Sequence, residues 1–185
     1  VSTIVSDNYD AGVQCAKDMM KKKTSANIII VNQKALNSIN ERVKGFRDTI
    51  KGHPQYKIVE EKESAAEFEI AMKVMEEIIY EKKNYDVVMG GNDPIALGCI
   101  AAMQMTDKTD QVMVYGVDGS PDGKAMIKAG FLEGTAAQSP IKIGEKAVQT
   151  AYSYLAGETV KKHVTIPVEL ITADNLKLYD MTGWQ

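Results

Sequence analysis

A strand-to-helix turn that occurs twice constrains the fold of this chain more than any other feature. The first copy begins with a short apolar strand at Asp86–Met89, and two glycines and an Asn-Asp-Pro sequence follow it. The pattern predicts Asp93 as the N-cap of a helix and Pro94 as its first residue. Asn92 then lies at the carboxyl end of a strand, the edge at which open α/β sheets bind ligands.

The second copy of the turn lies at Val112–Gly123. Here an apolar strand ends at Asp118, and Gly-Ser-Pro-Asp-Gly leads into another helix. Because carboxyl ends of parallel strands meet at one edge of a sheet, Asn92 and Asp118 are predicted to lie on the same edge.

Strands and helices alternate along the whole chain with short connections, which predicts an α/β fold. We predict strands at Val1–Ser6, Ala26–Val31, Tyr56–Glu60, Asp86–Met89, Val112–Val117, Gly134–Gln138 and Val164–Ile171, and helices at Tyr9–Met20, Ser38–Lys51, Ala65–Tyr80, Pro94–Met105, Asp122–Ala129 and Pro140–Leu155. The expected architecture is a doubly wound, single parallel sheet of about five or six strands with helices on both faces. Ala26–Val31 should lie between two neighbours, and Pro167 indicates that the last strand is a sheet edge or a crossing.

Helical spacing predicts which side chains face inward. In the second helix these are Ile39, Val43, Phe46 and Ile50, and in the third they are Phe68, Met72, Met75 and Ile79. Cys15 and Cys99 lie on predicted helices among apolar neighbours, so we expect buried free thiols rather than a disulfide.

Composition excludes several functional classes. The formal net charge is −3 and the cationic residues are scattered, so no basic stripe for nucleic acid is present. No apolar segment approaches the length of a membrane span, and no signal peptide opens the chain. If the protein is exported, its targeting segment has been removed. Two cysteines without a matching histidine spacing predict no metal site.

Enzymatic motifs are absent from the sequence. The chain has no G-x-G-x-x-G, no Walker loop and no G-x-S-x-G. His53 precedes a proline in a predicted turn, and His163 ends a Lys-Lys-His run, so both are expected at the surface. We therefore predict a protein that is not an enzyme and needs no cofactor.

Six motifs in order carry a resemblance to a known family: SDNYDAG from Ser6, ERVKGF from Glu41, GGNDPIALG from Gly90, YGVDGSPDG from Tyr115, AAQSP from Ala136 and IPVELITADN from Ile166. Over its whole length the chain resembles the type I periplasmic sugar-binding proteins. It is most similar to the ribose and galactose binders that serve ABC transporters. The motifs do not cleanly separate this branch from the effector domains of LacI-type transcriptional regulators. Sugar-sensing ectodomains of chemoreceptors and histidine kinases also use this fold, and the residues before Val1 would discriminate among these classes.

The resemblance implies a domain organisation. Family members have two lobes joined by three crossing segments, with the sugar between the lobes. Residues 1–137 correspond to the carboxyl-terminal lobe with the first crossing at Val1–Ser6. Residues 138–185 correspond to the second and third crossings, to elements that complete the other lobe, and to a tail. On this interpretation about one hundred residues of the amino-terminal lobe have no counterpart here.

The resemblance also implies four polar ligands for a sugar. Arg42 would donate two hydrogen bonds, and the alternative is a solvated arginine on a helix. Asn92 would donate and accept, or would instead form an Asx turn into the helix. Asp118 would accept from adjacent hydroxyls, or cap the following turn. Gln138 lies on the second crossing and is otherwise an ordinary edge residue.

Two further candidates are weaker. Phe68 matches the aromatic residue that stacks on the sugar from this lobe, although phenylalanine at helical spacing is more often core. Ser6 lies on the first crossing. Gln33 and Lys34 depart from the small or apolar residues of many relatives, which would add a donor or indicate a different sugar.

The implied partners are a monosaccharide and an ABC transporter permease, and the implied location is extracytoplasmic, in the periplasm or as a surface lipoprotein. Nucleic acid is not expected. Apolar area left by an absent lobe favours a homodimer of this chain. Trp184, near the end of the tail, would cover part of that area or belong to a frayed terminus.

Overall fold

The computed structural model describes residues 1–106 and 112–185, which form six strand–helix units followed by two strands and a short 3-10 turn. The strands are β1 (Thr3–Ser6), β2 (Ala26–Asn32), β3 (Tyr56–Glu63), β4 (Val87–Gly90), β5 (Met113–Asp118), β6 (Gly134–Ala137), β7 (His163–Ile166) and β8 (Glu169–Thr172). The helices are α1 (Asn8–Lys22), α2 (Asn37–Ile50), α3 (Phe68–Tyr80), α4 (Asp93–Gln104), α5 (Pro121–Ala129) and α6 (Pro140–Leu155), and the 3-10 turn is Leu176–Leu178. The predicted α/β alternation is confirmed.

The main sheet has six strands in the order β3-β2-β4-β5-β6-β8. Its first five strands are parallel, and β2 lies between β3 and β4 as predicted. The predicted doubly wound parallel sheet is confirmed, but the expectation that all strands belong to a single parallel sheet is wrong in two respects. β8 runs antiparallel to β6, and β1 pairs with β7 in a separate two-stranded parallel sheet.

The last predicted strand, Val164–Ile171, is two strands that belong to different sheets. Pro167 lies between β7 and β8, and its lack of an N–H removes one ladder hydrogen bond at this point. β7 continues the small sheet, and β8 forms an edge of the large one. The interpretation of Pro167 as the mark of a sheet edge or a crossing is therefore confirmed.

Helices α1 to α5 cover both faces of the main sheet, and their inward sides form its core. The four inward residues predicted for α2 are buried, and Cys15 and Cys99 are buried free cysteines. In α3 the buried face is instead Ala71, Met75 and Ile78. The helix begins at Phe68 rather than Ala65, because Ala65 and Ala66 have the positive φ values of 42° and 58°.

No helix among the described residues is long and apolar enough to cross a membrane. Within residues 1–106 and 112–185, no cluster of His, Cys, Asp and Glu side chains could hold a metal ion.

A close contact between α1 and α2 depends on two glycines. A Cβ atom at Gly12 would lie 1.8 Å from the carbonyl oxygen of Arg42, and one at Gly45 would lie 2.0 Å from that of Tyr9. Any side chain at either position would push the helices apart. The contact therefore sets the distance of α2 from α1 and with it the position of Arg42.

Gly45→Ala should lower the free energy of unfolding by about 2 kcal/mol, because overpacking outweighs the gain of about 1 kcal/mol in helix propensity. Gly144→Ala on α6 is the matched control, since a Cβ there meets nothing within 4 Å. The control should be as stable as the parent chain or slightly more stable. Urea unfolding measures both, and an unchanged Gly45→Ala variant would contradict the close contact.

Candidate functional site

A buried arginine lies at the carboxyl edge of the main sheet. Arg42 is on the second turn of α2, and its side chain is 5% exposed. Its Nε donates to Asn8 Oδ1 at 2.9 Å, and its Nη1 donates to the Gly91 carbonyl oxygen at 2.9 Å. Nη1 also lies 3.4 Å from Asp118 Oδ1. The two N–H groups of Nη2 make no hydrogen bond to the described residues and remain as donors.

Asp118, the last residue of β5, receives donors from two directions. Its Oδ1 accepts from Gln138 Nε2 at 2.7 Å and faces the Arg42 guanidinium. Its backbone has φ = 144°, a conformation that residues other than glycine rarely adopt. The strained backbone aims the carboxylate at the group of polar residues, while the side chain stays 16% exposed.

Gln138, Ser6 and Asn8 complete a ring that is closed by four hydrogen bonds and the Arg42–Asp118 ion pair. Ser6 Oγ donates to Gln138 Oε1 at 2.8 Å, which orients the Gln138 amide so that its nitrogen faces Asp118. Asn8 Nδ2 donates to the Ser6 carbonyl oxygen at 3.1 Å, while Asn8 Oδ1 accepts from Arg42. Four of the predicted site residues, Ser6, Arg42, Asp118 and Gln138, therefore lie in one polar network.

Asn92 directly follows Gly91, whose carbonyl oxygen accepts from Arg42, and its side chain caps a helix, which is the alternative that the sequence left open. Its Oδ1 accepts from the Ile95 backbone N–H at 3.0 Å, so Asn92 is the N-cap of α4. The prediction of Asp93 as the N-cap is wrong, since Asp93 is the first helical residue and is fully buried. The cap occupies the Asn92 oxygen and leaves its amide nitrogen as a donor.

Phe68 is not part of the polar network. It is 38% exposed, so the prediction that it faces the core is wrong. It lines a cavity of about 350 Å³ with side chains of α4 and α5, among them Leu97 and Met126. An exposed aromatic ring at the start of α3 is available to a ligand, but the described contacts do not join it to Asp118.

Burial and charge shift the pKa values of the site. Burial raises the pKa of Asp118 to about 6, although the positive charge of Arg42 acts in the opposite direction. The pKa of Asp93 is also raised by burial, against hydrogen bonds from Thr135 and Ser120. Burial lowers the pKa of Arg42, and the nearby carboxylates limit this effect. A guanidinium remains charged in this environment, so the site combines a cation with two carboxyl groups.

Sequence reasoning missed Asn8 and misread Asp93. Asn8 lies within the SDNYDAG motif, directly before the predicted helix. In the structure Asp7 is the N-cap of α1, and Asn8 accepts a hydrogen bond from Arg42. The signal that could have identified Asn8 is its place directly after the first crossing, two residues from Ser6. No local signal identifies the contacts of Asp93, because its donors come from β6 and from the turn after β5.

The fold and this edge define a class of protein. The model of the periplasmic binding protein domain family matches residues 1–159. Because this match covers most of the chain, the chain belongs to that family.

Individual relatives extend this result. The chain is 31% identical over 174 residues to a ribose import binding protein of Salmonella typhimurium, and the match covers 92% of this chain and 58% of that protein. It is 31% identical to a D-apiose import binding protein of Paraburkholderia graminis, with 98% and 59% covered. The chain thus spans about three fifths of the length of these curated relatives. These proteins are solute-binding proteins rather than enzymes, in agreement with the prediction from the motifs.

Solved structures show the same architecture. An ABC transporter solute-binding protein of Bacillus halodurans with bound myo-inositol superposes with a TM-score of 0.90 at 27% identity, covering 96% of this chain and 62% of that one. The myo-inositol-binding protein of Caulobacter superposes with a TM-score of 0.84 at 29% identity, covering 94% and 60%.

The raised pKa of Asp118 predicts a pH dependence of stability. An acid whose pKa is higher in the folded state contributes stability that is full below its unfolded pKa and is lost as pH rises through its folded pKa. For Asp118 this window runs from about 3.8 to about 6. At 1.36 kcal/mol per pKa unit, the loss across it is about 3 kcal/mol.

Asp118→Asn should remove this loss, so the difference in unfolding free energy between the parent chain and the variant should change by about 3 kcal/mol across the window. Urea unfolding at a series of pH values measures the difference, and carbon-13 NMR of the Asp118 carboxyl gives its midpoint directly. A midpoint near 4 would contradict the burial of this carboxylate.

Proposed function

We propose that this chain binds a monosaccharide at the carboxyl edge of its main sheet, as one lobe of the solute-binding component of an ABC transporter. The observation that supports the proposal most is the closed network of Ser6, Asn8, Arg42, Asp118 and Gln138 at that edge. It offers a fixed carboxylate and fixed N–H donors in one place.

Sugar hydroxyls both donate and accept, so a complementary site needs planar groups with several polar atoms each. Asp118 accepts from adjacent hydroxyls, and the Nη2 group of Arg42 donates in a fixed geometry. The Asn92 amide nitrogen adds a donor, since the α4 cap uses only its oxygen. Phe68 offers an apolar surface for the face of the ring. Relatives named for ribose, D-apiose and D-allose support a pentose or hexose ligand.

An apolar surface outside the main sheet supports the proposal that a second lobe packs against this chain. No residue of α6 is buried, and the helix exposes Ile141, Val148, Tyr152, Tyr154 and Leu155. Side chains of α6 and of the segment Val1–Ile4 line a cavity of about 400 Å³. We propose that residues 1–137 form the carboxyl-terminal lobe and that elements of residues 138–185 pack on the other lobe. The homodimer expected from the sequence would use the same surface.

The transporter role is a proposal that follows from the relatives. Two of them are named as import binding proteins, and the family is that of periplasmic binding proteins. These names support delivery of the sugar to a permease, and they support an extracytoplasmic location. An effector domain or a sensor ectodomain shares the fold but has less support from these relatives.

Calorimetry on the two-lobed protein tests the proposal with ribose, allose, galactose, xylose, glucose and myo-inositol. We expect one of them to bind, and Asp118→Ala to weaken its binding by about a hundredfold because the partners of a charged acceptor are left buried and unpaired. Asn92→Ala and Gln138→Ala should cost about tenfold each. The chain alone should bind weakly, since a one-sided site does not exclude water.

Asp174→Ala is the control, because Asp174 is an exposed acid in the turn after β8. It should leave the affinity unchanged. If none of the sugars bound the two-lobed protein, the function would be wrong. If a sugar bound and Asp118→Ala left its affinity unchanged, the assignment of the site would be wrong.

A further inference from the structure

Asp93 is an acid with no exposed surface, and its carboxylate makes its hydrogen bonds to Ser120 and Thr135 rather than to a side chain of the polar network described above. Its Oδ2 accepts from the Ser120 backbone N–H at 2.8 Å and from Ser120 Oγ at 2.7 Å. Its Oδ1 accepts from Thr135 Oγ1 at 2.6 Å. One carboxylate on α4 thus binds the turn after β5 and the middle of β6 at the same time.

Two glycines make room for this carboxylate. A Cβ atom at Gly116 would lie 2.4 Å from Asp93 Oδ1, and one at Gly123 would lie 2.5 Å from Oδ2. The backbone of β5 and the first turn of α5 therefore approach the carboxylate more closely than any other residue type would allow. The packing of three elements is adapted to this one acid.

The bonds of Asp93 hold the residues that follow Asp118. Thr135 Oγ1, which donates to Asp93, accepts from the Gly119 backbone N–H at 3.0 Å. Gly119 and Ser120 are thus tied to Thr135 and Asp93. Asp118, immediately before them, has its strained φ of 144°. A strained residue keeps its conformation only where its surroundings hold it.

We propose that Asp93 is a positioning residue for the sugar site: its buried carboxylate holds Ser120 directly and Gly119 through Thr135, and thereby fixes the direction of the Asp118 carboxylate. This inference rests on the proposed function, since it assigns Asp93 to the same site. Asp93 itself does not touch the sugar.

Ordinary helix capping does not account for these contacts. Asn92 already caps α4, and an acid that only complements the helix dipole can stay in solvent. Burial of a carboxylate is costly unless its oxygens accept several hydrogen bonds, and here all three come from β6 and from the turn that follows Asp118. The hydrogen bonds that offset the burial of Asp93 are therefore the same ones that hold this turn in place.

The test compares Asp93→Asn and Thr135→Val with a control, Asp122→Asn. Asp122 is an exposed acid in the first turn of α5, so it matches Asp93 in its place at a helix start. Thr135→Val keeps the Asp93 charge and removes one of its donors, and it keeps the inference testable if Asp93→Asn fails to fold.

In the chain without sugar, NMR of the Gln138 side-chain amide reports whether its bond to Asp118 persists. We expect this amide to shift and to exchange faster with solvent in Asp93→Asn and Thr135→Val, and to be unchanged in Asp122→Asn. A role in stability alone would lower the denaturation midpoint and leave the Gln138 amide as it is, and that result would overturn the inference.

In the two-lobed protein, calorimetry should show an affinity at least tenfold lower for Asp93→Asn and several-fold lower for Thr135→Val. Unchanged affinities for both, together with a large loss for Asp118→Ala, would overturn the role of Asp93 and leave the proposed function intact. If Asp118→Ala had no effect either, the proposed function would fail, whereas the Gln138 measurement would still decide whether Asp93 positions Asp118.

Discussion

The buried guanidinium of Arg42 is the interaction on which the functional edge of this protein depends. A cation removed from water is costly unless its N–H groups are paired, and Arg42 is paired with Asn8, the Gly91 carbonyl and Asp118. These partners come from α1 and from the ends of β4 and β5. One side chain therefore links elements that are far apart in the sequence, and the Gly12 contact places its backbone directly against α1.

Two acids at this edge have features that cost stability. Asp118 has a positive φ and a raised pKa, and Asp93 is a fully buried acid. Each feature costs stability, and each acts on the direction in which Asp118 presents its carboxylate. Departures from local preference that converge on one side chain are characteristic of binding sites rather than of structural cores.

Much of the fold could be predicted from the sequence, because hydrophobic periodicity and turn residues are local signals. The inward face of α2 and the strand and helix order of the chain follow from them. The antiparallel direction of β8 could not be predicted, since it depends on how the chain crosses after Pro167. Phe68 was misplaced because two alanines in an unusual backbone conformation delay the start of α3.

The candidate site could also be predicted only in part from the sequence. Motif resemblance located Arg42, Asp118, Gln138 and Ser6, and the structure joins them in one network. The sequence Asn92-Asp93 offers two good N-cap residues, and local chemistry does not decide between them. The choice is made by donors on Ser120 and Thr135, which only the folded chain brings to Asp93.

A double-mutant cycle between Arg42→Met and Asp118→Asn tests most directly whether this buried pair organises the edge. The free energies of unfolding of the parent chain, the two single variants and the double variant are measured by urea unfolding above pH 6, where the ionised form of Asp118 predominates. The pair should show a coupling energy of about 1–3 kcal/mol, because each single variant leaves the other group buried without its partner. Effects that add to within about 0.5 kcal/mol would show that the two side chains act independently and would contradict the central role of Arg42.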